Sequence, residues 1–386
     1  MSNHFNTFIK NERQSELFQI ADELADKIKV RVDEGDKTGT FSKENVRDIK
    51  ESGYLTLSLP EEFGGRNLSL YELLLLQERL AVADGSVSLS IGWHLGVMME
   101  LSEKSLWSEE HFNFLAKEVG FHRKIVNRAA SERATGSPAR GGIPETRAVR
   151  EGDHYKITGR KTFTTMGDVL DYFIVTAYIE DLDTVGAFLI EKEMQGLRIE
   201  HTWDTLGMRG TGSDDLILDG VKVPTDRLVE TKGERPTDPK GWLLHIPACY
   251  LGIAMAARND AIEFAKNYQP NSLNTPIAEV PHVQLKIGEI EMKLIHARTF
   301  MYAVAEKWDC SSHEERTKLS SELAVVKTVA TNVANEVVDL SMRIVGGRGL
   351  SKQLPFERYY RDVRAGLHNP PMDDMVIQML AKQALK

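Results

Sequence analysis

Residues 128 to 228 read as strands, whereas everything on either side reads as helix. No other feature of the 386 residues narrows the fold as much. Ahead of the change, Leu17, Ile20, Ala21, Leu24, Ala25 and Ile28 share one helical face, and this pattern is expected to end near Gly35. Helical spacing recurs over 42–52, 70–83 and 88–101. Within the middle segment, residues 149–157 alternate about Gly152-Asp153, a hairpin signal, and 172–179 and 185–190 are β-branched and aromatic runs. Residues 216–223 close the series, with Asp219-Gly220 read as a turn and Pro224 as the end. Beyond a polar linker, helical patterns cover 243–265, 284–308, 320–344 and 373–385, the last after the Asn369-Pro370-Pro371 break. The expected fold is α+β and multidomain: an N-terminal helical domain (1–125), a middle antiparallel β-barrel or sandwich domain (126–232) and a C-terminal four-helix bundle (240–386).

The charge balance removes some function classes. A net charge of -9 and a pI near 5.7, with no basic run, do not suit a nucleic-acid partner, which requires clustered Lys and Arg. Cys249 and Cys310 are the two cysteines, neither with metal-ligand spacing around it. No metal is expected, and a reducing, cytoplasmic compartment fits. Residues 1–14 are polar and mixed in charge, without the apolar core of a secretory signal. The longest nearly apolar stretch, 241–257, contains His245 and falls short of the roughly 20 residues of a membrane span.

Three stretches of the middle segment carry chemistry. They are Ser131-Glu132-Arg133-Ala134-Thr135-Gly136-Ser137, then Lys161-Thr162-Phe163-Thr164-Thr165, then Leu206-Gly207-Met208-Arg209-Gly210-Thr211. With Pro60-Glu61-Glu62-Phe63-Gly64-Gly65 before them and Gly346-Gly347-Arg348-Gly349 and Arg361-Asp362-Val363-Arg364 after, this series resembles the acyl-CoA dehydrogenase family of flavoproteins over most of the chain. The resemblance implies FAD, with FMN the less favoured cofactor, between the β domain and the bundle. It implies that Ser131, Ser137, Phe163 and Thr165 contact the flavin ring, although Arg133 stands where the family has proline. It further implies that Gly346, Gly347 and Gly349 let the backbone approach the FAD pyrophosphate. Arg343, where the family usually has glutamine, is expected to bind that phosphate by charge as well as geometry.

The same resemblance exposes departures. The family's catalytic glutamate stands nine residues after the signature arginine, which here is Pro370, or on the first long bundle helix, which here is Trp242. An Arg-x-x-Phe-Gly motif is missing around 273–277. Near the first position stand His368, Asp373 and Asp374, and one helical turn beyond the second stands His245. These four are the candidate bases. Arg361, Arg364 and Leu367-His368-Asn369-Pro370 also resemble the flavin monooxygenase branch of the fold, in which His368 would face the flavin and His94 would be a second histidine. As one histidine within an apolar helix, His94 otherwise reads as packed core.

The leading expectation is an acyl-CoA dehydrogenase passing electrons from a thioester through FAD to an electron-transfer flavoprotein. The alternatives are a two-component monooxygenase served by a flavin reductase, and an inactive flavin-binding scaffold. The resemblance implies a homotetramer.

Overall fold

The computed structural model describes residues 5, 7–104, 106–135, 142–231 and 238–386. Helix α1 (Glu12–Ile28) begins where the Asn11 side chain accepts the Gln14 N–H at 2.9 Å, and it buries Leu17, Ala21, Leu24 and Ile28. It does not end near Gly35. After one 3-10 turn the chain continues as α2 (Val32–Thr38), and the stop is Gly39, with φ of 69°. A glycine inside a helix costs about 1 kcal/mol without breaking it, whereas a left-handed residue just past the end terminates it. Helix α3 (Lys43–Glu51) is capped by Ser42. Helix α4 (Leu70–Ala83) has a capping box between Ser69 and Glu72, and its apolar residues are buried almost all round. Helices α5 (Gly85–Lys104) and α6 (Glu109–His122) complete the N-terminal part.

Eight strands follow: β1 (Val126–Ala129), β2 (Arg147–Glu151), β3 (His154–Thr164), β4 (Tyr172–Ile179), β5 (Thr184–Glu191), β6 (Leu197–Glu200), β7 (Asp214–Pro224) and β8 (Leu228–Thr231). They run in the order β6-β7-β3-β2-β4-β5-β8, with β1 also on β4. Most pairs are antiparallel, as expected, but β1 and β2 both pair with β4 in parallel, at opposite ends of it. Alternation within a strand cannot reveal the direction of a neighbour. Asp219-Gly220 is not a turn. Strand β7 passes straight through it, and the register to β3 shifts there, between Ile157 opposite Val221 and Gly159 opposite Leu218. The pair forms a β-bulge, with Gly220 at φ of 65°.

The C-terminal part consists of α7 (His245–Asn267), α8 (Pro281–Cys310), α9 (Ser320–Val345), α10 (Phe356–Gly366) and α11 (Asp373–Ala384). Helix α7 is buried over most of its length and lies against α4, α5 and α9. Glycines set the α5–α7 approach: a Cβ on Gly96 would lie 2.1 Å from the Trp242 ring, and one on Gly92 would lie 2.3 Å from His245 Nδ1. Helix α4 is tied to α8 by Arg298, which donates to both oxygens of buried Glu78 at 2.7 and 2.9 Å, while the Tyr302 hydroxyl donates to Glu78 at 2.7 Å. No described helix is long and apolar enough to cross a membrane.

Candidate functional site

Strand β3 and the segment after β1 build a shelf. The Thr162 N–H donates to the Ser131 carbonyl at 2.9 Å, which sets Ser131 beside the end of β3. The structure thereby gathers Ser131, Phe163 and Thr165, which lie more than thirty residues apart in the chain. Ser137 lies outside the described residues. Phe163 has φ of 57°, an unusual conformation for a bulky residue, and its ring is 64% exposed, backed edge-on by Trp203 at 5.9 Å. Thr165 is buried, and its hydroxyl shares a hydrogen bond with Ser213 at 2.9 Å, which in turn meets Thr211 at 2.8 Å.

Underneath lies a buried ion pair formed by the charged residues of the same two motifs. Lys161 Nζ reaches Glu132 Oε1 at 2.5 Å, and both side chains are almost wholly buried. The second Glu132 oxygen accepts the Glu145 N–H, and Thr146 donates to Oε1 through both its N–H and its hydroxyl. Burial raises the Glu132 pKa, but the bonds from Lys161 and Thr146 outweigh it and hold the carboxyl below its ordinary value. The motifs thus present an aromatic face outward while their charges lock the two segments together inside.

The loop between β6 and β7 joins this shelf to the helices. Trp203 donates its backbone N–H to Asp214 and its indole N–H to the Met208 carbonyl. Met208 N–H then reaches the carboxylate of fully buried Asp362 on α10 at 2.6 Å. Burial pushes Asp362 up to about 7, and Met208 and the nearby Arg358 only partly offset it. Nearby, His201 Nδ1 stands 3.3 Å from Asp214 and 3.7 Å from Asp168, an ion-paired trio in which Asp214 first and Asp168 second raise the imidazole pKa.

The C-terminal glycines form a second region. Gly346 has φ of 69°, and a Cβ on it or on Gly347 would meet nothing within 4 Å, whereas Gly349 is buried against Met342. Gly346, Gly347, Arg343, Leu350, Tyr360 and Arg361 line an open cavity of about 560 Å³. Arg343 is exposed and bonded to Asp339 at 2.6 Å.

The candidate bases are not alike. His368 is exposed, and its imidazole makes no hydrogen bond with any described residue. Its turn is pinned on both sides: the Tyr250 hydroxyl donates to Asn369 at 2.8 Å, and Asp373 accepts Asn332 at 2.6 Å and Lys327 at 3.4 Å. Burial holds the Tyr250 phenol well above its usual range, so it stays a donor. Asp373 is therefore committed to α9, while exposed Asp374 accepts the N–H of Met375 on its own helix. His245 is fully buried, stacked on Trp242 and crossed by Trp93, and burial lowers it to about 3. His94 is also fully buried; Val126 N–H donates to its Nδ1 and its Nε2–H reaches the Leu55 carbonyl, both at 3.1 Å, and burial lowers it to about 4. Both imidazoles are neutral and shut off from solvent, and the nitrogens of His94 are spent on backbone. Of the candidate histidines only His368 presents its nitrogens at the surface.

The shelf fits a planar ring with a polar edge: one exposed aromatic face, the Ser131 segment, and a run of hydroxyls at Thr165, Ser213 and Thr211. Sequence reasoning missed Ser213, Trp203 and Tyr250. Ser213 stands two residues after the Leu206–Thr211 stretch, but no pattern in the sequence marks Trp203 or Tyr250.

Comparison with known proteins follows the same three parts. The acyl-CoA dehydrogenase N-terminal, middle and C-terminal domain models match residues 11–104, 127–221 and 244–369. A putative acyl-CoA dehydrogenase of Bacillus subtilis, YdbM, is 50% identical over 98% of this chain and 99% of its own length. A 3-(aryl)acrylate reductase of Clostridium sporogenes is 30% identical over 92% and 93%. Among solved structures, TdsC of Paenibacillus sp. A11-2 in complex with FMN and indole superimposes with a TM-score of 0.84 at 27% identity, covering 94% of this chain and 95% of that one.

Proposed function

The chain belongs to the acyl-CoA dehydrogenase family, and from that premise we propose that it is a flavin-dependent oxidoreductase acting on the carbon–carbon bond beside the carbonyl of an acyl compound. The forward reaction is α,β-dehydrogenation of an acyl-CoA thioester. The C. sporogenes relative is named for reduction of a 3-(aryl)acrylate, so the proposal extends to the reverse direction on an aryl-substituted substrate. Bound flavin would supply the hydride acceptor or donor. Phe163 and the Thr165–Ser213–Thr211 hydroxyls would hold its ring, and His368 would take or return the proton at the α-carbon.

One observation carries this assignment of roles: the His368 imidazole is open to solvent, yet its turn is fixed by Tyr250 through Asn369 and by Lys327 and Asn332 through Asp373. A proton-transfer group needs both access and a fixed position. The test is anaerobic. A panel of acyl-CoAs is added to the flavin-loaded protein and the oxidised flavin absorbance followed, with arylacrylates added to the reduced protein. Bleaching by one acyl class is expected, and His368→Ala should slow it about 100-fold or more. An unchanged bleaching rate in that variant removes His368 as the base.

A second reading, oxygen transfer by a two-component monooxygenase, draws on the likeness to TdsC. It requires that no acyl compound bleaches the flavin and that the reduced protein gives an oxygen-dependent transient on mixing with air. The redox partner would be an electron-transfer flavoprotein in the first case and a flavin reductase in the second.

A homotetramer is the proposed assembly. Helix α8 exposes Leu285, Gly288, Met292, Ile295 and Thr299, spaced alternately by three and four residues, with Leu285, Met292 and Ile295 each at least 64% exposed. Such an apolar stripe is a helix-packing face. Leu285→Glu with Ile295→Glu should shift the mass in light scattering below the tetramer; an unaltered mass rejects this face as the contact.

A further inference from the structure

Resting on the flavin reading above, we propose that this chain takes its flavin as the monophosphate FMN in preference to the dinucleotide FAD, because each arginine lining the cavity beside the C-terminal glycines is already paired with a carboxylate. Two arginines and two carboxylates line that cavity: Arg343, Arg361, Asp339 and Glu357. Their formal charges cancel.

Arg361 is also spent as a donor. A guanidinium has five N–H groups. In Arg361, Nε donates to Glu357 at 2.7 Å, one terminal nitrogen donates to Asp36 at 2.9 Å and to the Leu206 carbonyl at 3.0 Å, and the other donates to Asp36 at 2.7 Å and Glu357 at 3.1 Å. All five are used, and Asp36 adds a further negative charge behind the cavity. Arg343 is held by Asp339 through its Nε at 2.6 Å. Two other arginines of this stretch, Arg348 and Arg364, lie over the faces of Tyr268 and Tyr360 at 4.5 and 4.7 Å and do not line the cavity. The remaining walls are mainly apolar, from Met342, Leu350 and Tyr360.

A diphosphate entering here would meet Asp339 and Glu357, and any arginine it reached would already be paired with one of them. Charge-assisted bonds are what normally repay the dehydration of a phosphate. The ring shelf is separate from this cavity and is intact without it. The residues present therefore fit the flavin ring and do not fit the adenylate end of FAD. The carboxylates facing Arg361 come from residues 36 and 357.

The test is to purify the full chain, release its flavin with acid and identify it by chromatography, then titrate the flavin-free protein with FMN, FAD and riboflavin by fluorescence. FMN is the expected flavin, binding about 10-fold or more tighter than FAD. Asp339→Ala, which frees Arg343, should tighten FAD about 3-fold or more and leave FMN as it was. Recovery of FAD from the protein, or tighter binding of FAD than of FMN, overturns the inference while leaving the flavin reading standing. Binding of none of the three flavins removes the flavin reading, and the inference with it.

Discussion

The ring shelf and the C-terminal cavity both carry motif residues of one family, and they handle charge in opposite ways. On the shelf the ions are inside: Lys161 and Glu132 are almost wholly buried, the Thr165, Ser213 and Thr211 hydroxyls are buried too, and what faces outward is the Phe163 ring. In the cavity the Arg343–Asp339 pair is at the surface, with Arg343 63% exposed and its acid partner one helical turn away, while Arg361 with Asp36 and Glu357 is mostly buried. A buried ion pair fixes its surroundings because losing one member strands the other. A surface pair is weakly held and screened, so it sets the charge of a site without stiffening it. The shelf is therefore held from inside, and the four charges that line the cavity cancel.

The largest test of this contrast is Lys161→Met. It strands Glu132 in the interior and should cost about 3–5 kcal/mol in chemical denaturation, with loss of flavin binding. A cost under about 1 kcal/mol would mean that the pair does not hold the shelf. An intermediate test lies where the two regions meet, at Asp362, whose carboxylate takes the Met208 N–H of the loop running from the shelf. Its folded pKa of about 7 lies above the unfolded value near 3.9, so the native state binds the extra proton between these limits. Stability from this group is then greatest at low pH and declines as pH rises through 7. Asp362→Asn should flatten that decline by on the order of 1–2 kcal/mol between pH 5 and 7.5 in denaturation midpoints; identical pH profiles would mean that Asp362 is ionised throughout. The smallest effect is expected for Arg343→Ala, which removes an arginine already matched by Asp339. Its flavin affinity should change less than about 2-fold in a fluorescence titration, and a larger loss would return Arg343 to the phosphate role that the sequence suggested.

Much of the architecture was legible in the sequence because a period of two and a period of 3.6 are local properties. Strand β4 and helix α4 have the bounds that their apolar runs indicate. The exceptions arise where a neighbour decides: Asp219-Gly220 reads as a turn until β3 is seen to run past it, and Gly35 reads as a stop until Gly39 takes the left-handed position. The site divides similarly. The Ser131, Phe163 and Thr165 grouping follows from motif order and the burial of His94 from its apolar helix, but the backbone bonds of His94 do not, since a histidine in an apolar helix has the same letter whether its nitrogens are free or bonded to backbone.

The sequence by itself determined the three-part order of helices, sheet and helices, and the family. The tertiary structure alone decided which charged groups are spent. Whether Arg361 can meet a phosphate depends on Asp36, 325 residues away, and whether Asp373 is free depends on Lys327 and Asn332 of another helix. Ionic and hydrogen-bond partners are set by distances of about 3 Å in space, and sequence spacing carries no record of those distances once the chain has folded back on itself.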